Sequence, residues 1–366
     1  MDMVSVLMII MLALILLWQA KVAPKGTFFE ESFSLTVSKG MQGFFALLII
    51  AHHVYTFLDA RGIVAGSLKC FENIGVLLIG FFFFCSGYGL IVSLHTKKDY
   101  LKGFVVKRLL IVLVPFFICN YAYLSVELLL GSRFRISELI AAFFGVLLLN
   151  SQMWFAVEIM CLYLVFYLLF SYVKEERRCI VIIVWIIAGM TMLSMMHCKS
   201  YELSNWYWGE WWYNTTLLFP IGMIIAEKKD LLKKLAMKYY WILLPGCVIG
   251  FIGFRFFCSR ELGLRGYWTM QIMDKVRAYL LQVPGVILFV LFLVLILMKV
   301  RIGNALLSFL GKFSLEIILV NGVFLRLFLG LEQKYGLICY LCLTFVGTIF
   351  AAVLLYKLKQ NILELK

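Results

Sequence analysis

Two adjacent histidines, His52 and His53, lie inside an apolar run long enough to cross a bilayer. An ionisable side chain at such depth is costly and faces the interior of a helix bundle rather than lipid. Histidine is also the side chain best suited to move a proton near neutral pH. On a helix, Gln42 and His53 are eleven residues apart, so they nearly share a face and stand about 16 Å apart along the axis. Lys39 lies on a similar face one turn lower, while His52 is rotated off by about 100°. The stripe thus runs from the membrane surface to an imidazole placed near mid-membrane. General-base chemistry suits that imidazole, because burial disfavours charge and leaves a neutral ring able to accept a proton. The alternative is a histidine pair that only hydrogen-bonds to neighbouring helices.

A second constellation follows in Phe81-Phe82-Phe83-Phe84-Cys85-Ser86-Gly87-Tyr88-Gly89-Leu90. Ser86, Gly87 and Tyr88 fall roughly 18 Å from the external end of their span, a depth expected to overlap that of His53. Small residues there either let helix backbones approach closely or floor a channel for a thin, extended ligand. Just beyond, Lys102, Lys107 and Arg108 precede Pro115, and their charge suits anionic lipid or a phosphate-bearing donor. Glu158 and Glu316 are carboxylates within apolar spans, and either could orient His53. Trp154 reads as a lining or interface residue. The loop from Tyr201 to Tyr213 is rich in Trp and Tyr, with Glu202 and Glu210 among them. It reads as an interfacial aromatic belt or as a stacking platform for a sugar.

The elements that carry these residues are membrane helices. The chain has 366 residues and is 64% hydrophobic, whereas soluble domains average about 45–50% apolar. Apolar runs recur near 3–18, 42–58, 74–94, 109–130, 153–173, 180–196, 213–226, 239–257, 279–298, 313–329 and 336–356. The expected fold is therefore an all-α, polytopic transmembrane bundle of about eleven spans. Residues 138–149 are apolar but too short to cross, and read as a re-entrant or interfacial helix. Most Lys and Arg fall in every second connection, which places those connections in the cytoplasm. The N-terminus is then external and the C-terminus cytoplasmic. The same bias accounts for most of the +14 net charge without a nucleic-acid partner. The first span lacks a basic leading region and a small-residue cleavage site, and reads as an anchor rather than a signal peptide. Residues 1–30 then form an anchor helix and cytoplasmic linker, and residues 31–366 the main transmembrane domain. Ten cysteines, among them Cys85, Cys119, Cys161 and Cys247, sit mostly in apolar runs. They read as small buried residues rather than as a metal site, which needs four ligands, and Cys339-x-x-Cys342 reads the same way.

The order of these motifs resembles that of the acyltransferase-3 family of membrane acyltransferases. Met41-Gln42-Gly43 through His52-His53 resembles its first motif, an arginine, ten residues and a histidine. Phe82 to Leu90 resembles the second block, and Phe104, Lys107, Arg108 and Pro115 the pattern after it. Trp154-Phe155, the stretch Trp211 to Gly222, and Phe309 to Gly322 also resemble family segments. The similarity runs from about Leu35 to about Lys357. Gln42 stands where the family has arginine, and Asn321 where many members have histidine.

The resemblance implies ten family helices behind the N-terminal anchor and an O-acyltransferase of the cell membrane with no bound cofactor. An acyl-CoA, acetyl-CoA in the first instance, would enter from the cytoplasm. A hydroxyl of a cell-surface glycan, a lipid-linked saccharide or a similar acceptor would receive the acyl group. His53 would be the general base, with His52 beside it. Lys39, Lys107 and Arg108 would hold the coenzyme A phosphates, with Lys39 standing in for the missing arginine beside Gln42. Ser86, Gly87 and Tyr88 would lie along the donor, and Trp154, Glu158, Glu316 and Asn321 would line the site. The rival reading is a transporter or lipid-linked saccharide flippase, in which the histidines, Glu158, Glu316 and Arg326 relay protons. The sequence shows neither the internal repeats nor the paired broken helices common in that class.

Overall fold

The computed structural model describes residues 3–29, 33–63, 66–197, 215–265 and 271–364. Helices dominate it, and eight of them are long and apolar enough to cross a membrane. These comprise α2 (Leu35–Asp59), α3 (Gly75–Thr96) with its leading turn, and α4 (Ile111–Leu129) with the turn before it. They continue with α6 (Trp154–Tyr172), α7 (Glu176–His197), α10 (Tyr240–Arg265), α11 (Ile272–Lys299) and, after the one-turn α14 (Leu331–Tyr335), α15 (Leu337–Ile362). A ninth span is broken: α12 (Ala305–Lys312) and α13 (Ser314–Leu327) meet at 75°. Two shorter apolar helices, α1 (Met3–Leu17) and α8 (Leu218–Glu227), fall where the sequence suggests the remaining spans. The protein is an all-α, multi-pass membrane protein.

The non-crossing stretch near 138–149 forms only the short helix α5 (Ile136–Phe143), which leaves Ile136, Ile140 and Phe143 exposed. It is tied to α4 where the Asn120 amide donates to the Ala142 carbonyl (2.6 Å). Helix α9 (Lys229–Lys238) is basic, with no buried residue. The aromatic loop at 201–213, and with it Trp211 to Asn214, lies outside the described residues.

Packing centres on α2 and α3, the most buried of the spans. Lipid tails are as apolar as the side chains, so close contact rather than escape from water holds the helices together. Two glycine pairs make the contact close. A Cβ on Gly43 would fall on the backbone of Leu307 and Gly311, and one on Gly311 would fall on the Lys39 carbonyl. A Cβ on Gly87 would strike the Phe219 carbonyl, and one on Gly222 that of Phe84. So α2 lies backbone to backbone with α12, and α3 with α8. Phenylalanines fill the space between, with Phe81, Phe83, Phe84 and Phe219 fully buried.

Helices α2 and α3 run antiparallel. Gly75 abuts the His52 ring, and the rings of Phe45 and Phe81 are 5.0 Å apart. This register puts Ser86 level with Met41, not with His53. The sequence expectation of a shared depth fails because His53 lies close to the end of α2, beside the start of α3 at Gly75, while Ser86 lies eleven residues farther along α3. His53 is also nearer a bundle end than mid-membrane, since α2 ends six residues later at Asp59, about 9 Å along the axis.

The N-terminal helix is strapped to the bundle. Strand β1 (Lys21–Val22) pairs antiparallel with β2 (Val300–Arg301). The Asn304 amide donates to the Ile15 carbonyl (2.7 Å), and Lys299 Nζ donates to the Thr27 carbonyl (2.5 Å). Met8 and Leu12 of α1 join the main core.

Candidate active site

At the end of the bundle that carries Lys39, a cavity of about 170 Å³ opens between α2, α3, α4, α6, α13 and α15. Its polar wall holds the cations Lys39, Lys107, Arg108, Lys312 and Lys359, against the single carboxylate of Glu316. Gln42 and Ser86 lie in the same wall, and Phe82, Phe155 and Ile159 supply apolar surface.

Local structure explains how these groups converge. Ser34 caps α2 by accepting from the Val37 N–H (3.4 Å), so Lys39 and Gln42 fall in its first two turns. Lys107 and Arg108 sit on a π-helical turn, Val105–Leu110, which runs into α4. Such wide turns are rare and recur at functional sites. Pro115, which has no N–H to return to the preceding turn, follows soon after. Arg108 Nε donates to Tyr100 Oη (2.9 Å), which aims the guanidinium, and Tyr163 Oη donates to Ser86 Oγ (3.4 Å). The break between α12 and α13 brings Lys312 and the first residues of α13, Ser314 and Leu315, into one wall. The start of that helix adds positive potential through its dipole. Lys359 and Glu316 form a buried ion pair within the wall. Among the described residues, the amide oxygen of Gln42 has no hydrogen-bond partner.

The histidines lie farther along α2. His52 Nδ1–H donates to the Phe71 carbonyl (2.8 Å), and its ring covers Gly75. His53 instead faces α13, where Asn321 Nδ2–H donates to His53 Nδ1 (3.0 Å). The two imidazoles are 5.5 Å apart, centre to centre. Neither intramembrane carboxylate reaches His53. Glu158 accepts from Thr216 Oγ1, and Glu316 pairs with Lys359.

The structure thus gathers Lys39, Gln42, Ser86, Lys107, Arg108 and Glu316 at one cavity, and His53 with Asn321 at a second position. Gly87 and Tyr88 do not line the cavity. Gly87 packs on α8, and the Tyr88 ring lies 4.9 Å from that of Phe33. Trp154 packs beside Phe83 and Phe155, at 6.3 and 6.4 Å between ring centres. Lys312, Lys359 and Tyr163 join the cavity although sequence reasoning does not single them out. The available signal for Lys359 is a lysine at the end of the last apolar run, although it is almost fully buried.

No curated protein and no solved structure matches the chain. Residues 38–357, a stretch that includes both histidines and every residue lining the cavity except Lys359, match the acyltransferase-3 family model, described as an acyltransferase domain. The chain therefore belongs to the acyltransferase-3 family and is a membrane acyltransferase.

Proposed function

We propose that the protein moves an acyl group, acetyl in the first instance, from acyl-CoA to a hydroxyl of a cell-surface glycan, a lipid-linked saccharide or a similar acceptor. The observation that carries this reading is the cavity, with five cations against one carboxylate, on the same helix as His53. Coenzyme A bears several phosphates, and clustered Lys and Arg suit them by charge-assisted hydrogen bonds. The basic end faces the cytoplasm of the cell membrane in this reading, where acyl-CoA is found, and the Asp59 end faces outward.

The donor enters with its phosphates among Lys39, Lys107, Arg108 and Lys312. Its thin arm extends along α2 past Gln42 and Ser86 toward His53, about 16 Å away along the axis. Phe82 and Phe155, with ring centres 6.0 Å apart, stand at the inner end of the cavity and must part for it. His53 takes the proton of the acceptor hydroxyl as its oxygen attacks the thioester carbonyl. The new C–O bond forms, the C–S bond breaks, and the thiolate leaves with the proton that His53 received. A general base of this kind contributes about 10²–10⁴ in rate. His52, held by the Phe71 carbonyl, keeps the neighbouring backbone in place.

Membranes containing the protein, supplied with labelled acetyl-CoA and outer-surface glycan or lipid-linked saccharide, should yield acylated acceptor. His53→Ala should abolish transfer with insertion unchanged, and His52→Ala should be milder. Normal transfer by His53→Ala would reject the base. The break at α12–α13 favours a transporter, since discontinuous helices form many transport sites. Flux of unmodified acceptor with no acyl product would select that reading.

A further inference from the structure

We propose that Asn321 is the positioning residue of His53: its side-chain amide fixes the imidazole through Nδ1 and so reserves Nε2 for the acceptor hydroxyl. The inference rests on the reading of His53 as general base. Asn321 is fully buried on α13, and its amide meets His53 Nδ1 at 3.0 Å across 268 residues of sequence. A base held at one ring nitrogen can exchange protons only at the other. The partner atom then decides the tautomer. With Nδ2 toward the ring, the imidazole carries its proton on Nε2 and is a donor. Half a turn of the amide puts Oδ1 there instead, with no other atom displaced, and Nδ1–H donates to it. Nε2 then holds the free lone pair that base chemistry needs. Nothing else anchors the amide against that turn, because among the described residues Asn321 Oδ1 has no hydrogen-bond partner.

The same amide oxygen also serves after the proton arrives. An imidazolium donates from both nitrogens, and Oδ1 receives the Nδ1–H while Nε2–H faces the departing thiolate. Glu158 and Glu316, the carboxylates otherwise suited to this task, are engaged by Thr216 and Lys359. Next to Asn321, the backbone of Gly322 abuts the amide of Asn150, a second buried asparagine whose Nδ2 has no partner among the described residues. Unpaired polar atoms buried in this way ask for a ligand group.

Among the described residues, the titratable groups around His53 are few. His52 faces it from its own helix, while Glu72 and Asp59 lie farther off, beside Tyr55. Asn321 faces it from α13 without charge. An aspartate at 321 would therefore place a carboxylate against the ring, where the described residues have none. The experiment compares wild type, Asn321→Leu and Asn321→Asp by kcat, KM for acetyl-CoA, and the pH profile of kcat/KM.

Asn321→Leu should lower kcat about tenfold or more, part of what the base contributes, with the donor KM within about twofold. Asn321→Asp retains an oxygen acceptor and should keep more activity than Leu at alkaline pH. Its acid limb should move upward by about one pH unit or more, because a carboxylate favours the imidazolium. A wild-type kcat in Asn321→Leu would overturn the inference. Asn321→Asp has the same shape as the native residue, so it decides alone if the leucine variant fails to fold. An acid limb that overlays wild type would then refute the positioning role. His53→Ala separates the two ideas: activity retained there sinks the base itself, whereas a dead His53→Ala with an indifferent Asn321 sinks only the partner.

Discussion

Replacing Glu316 by Gln would leave the Lys359 ammonium buried without its counter-charge. Lys359 is 3% exposed and Glu316 1% exposed, so solvent cannot take over the pairing. At an effective dielectric of about 20, two unit charges about 3 Å apart attract by about 5–6 kcal/mol. Measured losses on breaking buried pairs are about 3–5 kcal/mol. Unfolding entropy of about 2.1 cal/mol/K per residue over 366 residues gives roughly 0.8 kcal/mol/K, hence a fall in Tm of about 4–6 °C. Membrane helices keep much of their helicity on unfolding, so this figure is a lower bound. The converse variant, Lys359→Met, should cost less, because Glu316 still lies within electrostatic reach of Lys39. The double variant Glu316→Gln/Lys359→Met removes both charges and should recover most of the loss. Thermal unfolding of the purified protein in detergent, read by tryptophan fluorescence at a fixed scan rate, measures all three. Equal falls in the Glu316→Gln and double variants would show that the two charges are not coupled, and would refute the pair.

Three further outcomes are expected. Lys39→Ala should raise the KM for acyl-CoA more than it changes kcat, about tenfold or more, since a hydrogen bond to a charged group is worth about 1.5–3 kcal/mol. Gln42→Arg should restore part of that affinity in the Lys39→Ala background, and an unchanged KM would leave Lys39 as a headgroup anchor. Gly87→Val should strip the folded protein from detergent extracts, whereas Gly89→Ala, with open space around it, should not; equal yields would contradict the α3–α8 contact. In intact cells, with the native cysteines removed, a cysteine at Arg133 should react with an impermeant thiol reagent and one at Lys234 should not. The reverse pattern would invert the topology and the sidedness of the donor site.

The membrane fold was legible because a span must be apolar over its whole length, a demand visible in any single window of sequence. Lys39, Lys107 and Arg108 were legible as a cationic group for a related reason. Each lies near the end of a span, where charge stands out against apolar neighbours. What joins them was not legible. Lys312 and Lys359 reach the cavity from α12 and α15, and their convergence depends on a 75° break and on glycine contacts with no periodic signature. The difference in depth between Ser86 and His53 was not legible, because His53 lies close to the end of its span rather than near mid-membrane. The packing of Gly75 on His52 sets the register. Asn321 reads as a departure from a family pattern, and only the fold brings it to His53.

The pairing of His53 with Asn321 has a consequence for biosynthesis. The partners are separated by 268 residues, so at about 5–20 residues per second the ribosome needs roughly 13–54 s to make the second after the first. Through that interval α2, the least apolar of the eight long spans, has to remain inserted with the His53 imidazole and Gln42 lacking their final neighbours. Helix α3 arrives early and covers His52, but α12 and α13, which seal the other faces, come in the last fifth of the chain. Nascent α2 is thus a natural client for membrane chaperones or the lateral gate of the insertion machinery. Chains truncated before Ala305 should be recognised and degraded even though most of their spans have already been made.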